Sequence, residues 1–113
     1  DGVVESERRG RAFTIGAMGS GDTNFYCDAY RRGGWQDAAD KVQHLWLSGD
    51  RSGAAAAVPA EMILRTNLFG AKEAIRERLR EYEAAGVTTL KVQPKAKNLD
   101  DRLDILGRLM DLL

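Results

Sequence analysis

The sequence predicts a protein of the α/β class that is mostly helical and holds a single clear strand at residues 87–92. Two observations carry this prediction. Apolar side chains recur at helical spacing through most of the chain, whereas Val87–Val92 alternates with a period of two. The order near the end is helix, Gly86, strand, basic loop and helix, which is typical of folds whose helices cover parallel strands.

Composition places the chain among ordinary globular proteins. Its 113 residues correspond to one domain, and that length suffices for a hydrophobic core. With 43% hydrophobic and 30% charged residues, the chain does not have the composition of a disordered protein. The 17 basic and 17 acidic residues cancel, which argues against nucleic-acid binding and against a polybasic membrane binder.

The scarce residue types exclude several kinds of site. Cys27 is the single cysteine, so no internal disulfide can form, and a cytoplasmic location is expected. Because His44 is the single histidine, a Cys/His zinc site is excluded, and we expect no metal. The N-terminus shows neither an initiator Met nor a signal peptide, and we expect Asp1 to lie inside a longer protein.

Helical periodicity and capping residues predict the remaining elements. Residues 3–18 fit either a helix or, around "AFTIG", a strand. Asp22 or Thr23 is expected to cap a short helix that Gly33 and Gly34 stop. Asn98 is expected to cap the last helix. Further helices are expected at 35–47, 52–58, 59–64, 71–85 and 99–113.

The strand at residues 87–92 raises the question of its partner. Backbone N–H and C=O groups of a strand need hydrogen-bond partners, and even a two-stranded hairpin is marginal in water. Three answers stay open: a strand hidden in residues 12–16, a strand from another chain, or a part of the protein outside this sequence.

Two loops are candidates for binding. "GSGDTNF" (19–25) opens a helix and could hold an anion, although a flexible loop with a helix cap is the favoured interpretation. "QPKAKN" (93–98) follows the carboxyl end of the strand, where α/β folds bind ligands. Its Gln93, Lys95 and Lys97 would then lie at the functional rim, the edge of the fold where ligands bind. The simpler interpretation is a solvated basic loop.

Aromatic side chains cluster in the first half of the chain. They could line a flat cofactor pocket, but core packing is the expected role of aromatics at helical spacing. Cys27 is expected to be a small core or groove residue and His44 a surface residue. The aromatic residues concerned are Phe25, Tyr26, Tyr30, Trp35 and Trp46.

A series of short motifs resembles the late region of the luciferase-like monooxygenases, and more narrowly the deazaflavin-dependent oxidoreductases. The family's Gly-Met-Gly and Asn-Phe-Tyr are matched by "AMG" at 17–19 and "NFY" at 24–26. "GWQDAAD" at 34–40 and "AVP" at 57–59 follow in the same order. "LFGAKEAIRERLREYEAAGVTTLKVQP" at 68–94 is similar to the segment that feeds the family's last barrel strand.

This resemblance covers about residues 10–95 and implies a TIM (β/α)8 barrel. Since such a barrel needs about 250 residues, residues 1–113 would be its C-terminal part: helices after strand seven, then strand eight and its helix. The lone strand would then pair with strands outside this sequence. The remainder of the barrel, or another copy of the chain, is the expected partner, and a homo-oligomer is expected.

The resemblance further implies an oxidoreductase or monooxygenase that uses coenzyme F420, or alternatively FMN, on a small-molecule substrate. No catalytic residue of the family maps onto this chain, which we expect to be inactive alone. Met18, Gly19 and Asn24 join Gln93, Lys95 and Lys97 as rim candidates for cofactor binding. The alternative is a non-enzymatic helical interaction module whose strand pairs with a partner chain.

Overall fold

The computed structural model describes residues 2–113, which form two compact units. The first, here called the helical unit, reaches Asn67, and the second, the C-terminal unit, runs from Leu68 to Leu113. The expectation of one fragment of a single domain stays a prediction.

The helical unit contains five α-helices and one π-helical turn. α1 (Gly2–Ala17) packs against α3 (Gln36–Leu47), α4 (Arg51–Ala57) and α5 (Ala60–Arg65). Between α1 and α3 lie α2 (Phe25–Tyr30) and the π turn (Arg31–Trp35). Residues 3–18, which the sequence left open between helix and strand, are therefore helical up to Ala17.

The core of the helical unit lies where α1 packs against α3, α4 and α5. Gly16 of α1 is buried against Trp46 of α3; a Cβ on Gly16 would lie 2.4 Å from the Trp46 side chain. The missing side chain therefore lets the two helices approach closely. The largest fully buried side chains are those of Ile15, Val42, Val58, Met62, Ile63 and Cys27.

The junction of α2 and α3 differs from the predicted stop. The helical backbone continues through the π turn, and the break falls at Gly34, whose φ of 94° is accessible to glycine at no steric cost. α3 consequently begins at Gln36 with Trp35 as its N-cap, one residue later than expected.

The C-terminal unit contains α6 (Lys72–Ala84) and α7 (Leu99–Met110). α6 ends as predicted: Gly86 has a φ of 91°, and the Val87 N–H donates to the Tyr82 carbonyl at 3.0 Å. This is the 6→1 bond of a Schellman motif. Asn98 caps α7, since its side chain accepts from the Asp101 N–H, and this prediction is confirmed.

The predicted strand at residues 87–92 is wrong for this chain as it stands. The structure of residues 2–113 is helical with connecting loops and shows no strand, and residues 87–97 have no regular structure. The physical reason is the one that the sequence raised: a ladder needs a second strand, and residues 2–113 supply none. Of the three answers that the sequence left open, the strand hidden in residues 12–16 also fails, because these residues lie in α1.

The remaining helix bounds agree with expectation within one to three residues at each end. Pro59 is the N-cap of α5 and not its first residue. None of the helices in the described residues is long and apolar enough to cross a membrane.

Candidate functional site

The loop between α1 and α2 is tightly built. Gly19 has a φ of 141°, and a Cβ there would lie 2.3 Å from the Thr23 carbonyl oxygen. The Ser20 N–H donates to that same carbonyl at 2.9 Å, and the Ser20 hydroxyl accepts from the Thr23 N–H at 3.0 Å. Gly19 is therefore required for the turn itself, and its backbone N–H donates to the Ala17 carbonyl.

Asn24, and neither Asp22 nor Thr23, caps α2, so the predicted cap is wrong. Its side-chain oxygen accepts from the Cys27 N–H at 3.0 Å, and its side-chain nitrogen donates to the Ile15 carbonyl at 2.6 Å. Asn24 is only 3% exposed. Its amide thus pairs with one group in the first turn of α2 and one in the last turn of α1, and it is buried from solvent.

A polar cluster joins α2, the π turn and α3. The Arg31 guanidinium donates to Asp40 at 2.5 Å, to Asp28 at 2.7 Å and to the Gln43 side-chain oxygen at 3.0 Å. Its hydrogen bonds to Asp40 and Asp28 raise the pKa of Arg31 above its usual value. Two carboxylates already neutralise this arginine, so the cluster fastens helices and does not recruit an anion.

Cys27 lies beneath this cluster and is fully buried, as predicted. Its thiol is 3.7 Å from the Gln43 side-chain oxygen and 3.8 Å from the Ala39 carbonyl oxygen. Burial raises the pKa of the Cys27 thiol, and the positive charge of Arg31 opposes this shift. A buried thiol with a raised pKa is not a nucleophile at neutral pH.

Sequence reasoning missed Arg31 and Gln43. The i, i+3 spacing of Asp28 and Arg31 was available as a signal for an ion pair. Gln43 could have been found from its position four residues after buried Ala39, on the inward face of α3.

Phe25 and Tyr26 lie on the outside, so core packing was the wrong expectation for these two aromatics. Phe25 is 77% exposed and Tyr26 is 49% exposed. The reason is that Asn24 and Cys27 take the inward positions of a helix only six residues long. Trp46, by contrast, packs edge to face with Phe13, their ring centroids 5.8 Å apart.

The six rim candidates lie in different units. Met18, Gly19 and Asn24 belong to the helical unit, where Met18 is exposed and the other two build the loop. Gln93, Lys95 and Lys97 belong to the C-terminal unit, in the exposed loop that precedes α7. That all six share one binding site stays a prediction.

The C-terminal unit holds an open groove of about 870 Å³ between its two helices and the segment that joins them. Leu79 of α6 is buried at its floor, whereas Leu90 of the joining segment is 41% exposed. On α7, no residue is buried, and Leu103 is 55% exposed. Apolar side chains that normally enter a core thus stay accessible to water.

The described residues meet the needs of a flavin-type cofactor only in part. Lysine ammonium groups in the exposed 93–98 loop suit a phosphate group. A tricyclic ring needs an apolar, largely enclosed site, and the open groove of the C-terminal unit does not enclose one. In residues 2–113, no group of three or more His, Cys, Asp or Glu side chains could hold a metal ion.

Comparison with known proteins supplies the family. The sequence profile of the luciferase-like monooxygenases matches residues 3–89. A protein of Mycobacterium tuberculosis, provisionally named a coenzyme F420-dependent oxidoreductase, is 37% identical over 81 residues. That match covers 72% of this chain and 23% of the relative, so the chain spans less than a quarter of the relative's length. No solved structure matches the chain.

Proposed function

This chain belongs to the luciferase-like monooxygenase family, and we propose that it forms the C-terminal part of a TIM-barrel oxidoreductase that uses coenzyme F420. The cofactor supplies the hydride chemistry when bound, and the protein positions it. In this proposal the C-terminal unit is the last strand–helix unit of the barrel. The helical unit precedes it as the elaborated connection after strand seven.

The observation that carries the proposal is the unpaired segment between α6 and α7. Its apolar residues Val87, Leu90 and Val92 are exposed, although side chains of this kind belong in a sheet beneath helices. The backbone of residues 88–92 makes no hydrogen bond to other backbone groups among residues 2–113. The chain order here is a helix, a segment that needs strand partners, and a second helix. This is the order of one βα repeat and the helix that precedes it.

Residues of this chain would then contribute to one edge of the site. Gln93, Lys95 and Lys97 follow the carboxyl end of the strand, where barrel enzymes bind their ligands. Their role would be to attract and orient an anionic group of the cofactor or substrate. Because barrel enzymes draw their catalytic groups from several strand ends, this chain alone would bind no cofactor and catalyse nothing.

The test compares this chain with the complete polypeptide that contains it. Fluorescence of coenzyme F420 is titrated with each protein, and FMN is titrated in parallel. We expect stoichiometric F420 binding by the complete polypeptide and none by residues 1–113. Tight binding by residues 1–113 alone would contradict the claim that most of the site lies elsewhere. Binding of FMN without binding of F420 would show that the cofactor is FMN.

A non-enzymatic interaction module is the second candidate. The observation that favours it is the exposed stripe of α7, where Leu99 is 67% and Met110 66% exposed. A partner strand could pair with residues 87–92 while its side chains cover this stripe. Light scattering and hydrogen exchange of residues 1–113 distinguish the candidates. A defined dimer in which residues 87–92 are protected from exchange supports the module. A monomer without such protection supports the barrel.

A further inference from the structure

We draw no further inference here: the strongest candidate, the open groove of the C-terminal unit between α6, α7 and the segment that joins them, is lined by both arginine and acidic side chains around its apolar floor, so its charge selects no ligand, and nothing in the structure shows what covers it.

Discussion

The two units of this chain differ in how completely they bury their apolar side chains. Among residues 2–113, every fully buried apolar side chain lies in the helical unit, and Leu79 is the single buried apolar residue of the C-terminal unit. Both units contain an amphipathic helix and a helix capped by an asparagine side chain, Asn24 in the helical unit and Asn98 in the C-terminal unit. Good local signals therefore form helices in both units, but a core forms only where several helices can cover one another.

The largest contrast should come from truncating one large apolar side chain in each unit. Ile63→Ala removes fully buried atoms from the helical unit and is expected to cost about 2–5 kcal/mol of unfolding free energy. Leu103→Ala removes a side chain that is 55% exposed, with an expected cost below about 0.5 kcal/mol. Urea denaturation of residues 1–113 measures both.

The tryptophans make this measurement specific. Trp35 and Trp46 both belong to the helical unit, so tryptophan fluorescence follows that unit, while circular dichroism follows the helices of both units. Equal losses for the two variants would mean that the C-terminal unit has a core of its own. In the complete polypeptide, we expect the cost of Leu103→Ala to increase, because the proposed barrel covers α7.

The second contrast lies within α1 and uses two glycines. Gly16→Ala would place a Cβ 2.4 Å from the Cβ and Cγ of Trp46, so α1 and α3 must separate. We expect a loss of about 1–3 kcal/mol, in the range of overpacked cores. Gly10→Ala is the matched control, since nothing lies within 4 Å of its Cβ, and it should stabilise the helix by about 0.5–1 kcal/mol.

Thermal unfolding followed by tryptophan fluorescence checks both glycine variants. A melting temperature that rises in both would show that α1 and α3 are less closely packed than the Gly16–Trp46 contact indicates. Combining Gly16→Ala with Trp46→Gly should recover part of the loss, because the glycine lacks both the Cβ and the Cγ that the new methyl group meets.

What the sequence could predict follows the same division. The positions of α3 to α7, the Gly86 stop and the Asn98 cap depend on residues near in sequence, and the helix bounds agree within three residues at each end. For α1, the sequence left helix and strand open. The cap of α2 was assigned to Asp22 or Thr23, because the choice of Asn24 depends on its bond to Ile15, nine residues away. Local pattern alone does not contain that contact.

The predicted strand failed for a related reason. The sequence of residues 87–92 alternates, and Leu90 and Val92 line the groove of the C-terminal unit. A ladder also needs partner strands, which are non-local and are absent from residues 2–113. The rim candidates remain predictions for the same reason: Gly19 and Asn24 build a loop, and what Gln93, Lys95 and Lys97 bind depends on the rest of the site.

The third contrast compares the two asparagine caps. Asn24→Ala removes a cap and leaves the buried Ile15 carbonyl without its side-chain donor, so we expect a loss of about 1–3 kcal/mol. Asn98→Ala removes an exposed cap and should cost about 0.5–1 kcal/mol of helix stability. Urea titrations followed by circular dichroism measure both losses.

Aspartate substitutions sharpen the comparison of caps. Asp keeps the acceptor for the helix N–H but cannot donate a hydrogen bond. Asn98→Asp loses the exposed hydrogen bond that the Asn98 amide donates to the Asp101 carboxylate at 2.8 Å, so it should be mildly destabilising. Asn24→Asp should cost more, because its carboxylate faces the buried Ile15 carbonyl. A neutral Asn24→Asp would show that the bond to Ile15 contributes nothing to stability.

The smallest effect concerns the pH dependence that Cys27 confers on the helical unit. Burial raises the pKa of this thiol from its ordinary value of 9.0. Above pH 9.0 the unfolded chain therefore loses the thiol proton while the folded chain keeps it. The folded state then binds more protons, so stability falls as pH rises, by at most about 1.4 kcal/mol per pH unit.

Urea titrations at pH 8 to about 10.5 would measure this fall, with Cys27→Ala as the control. Lysines and tyrosines titrate in the same range, so the quantity of interest is the difference between the two proteins. We expect that difference to be constant below pH 9.0 and to shrink above it, as the wild-type chain loses the stability that its neutral thiol confers. A constant difference across the whole range would show that Cys27 titrates alike in the folded and unfolded chain, and would contradict its burial beneath Gln43 and Arg31.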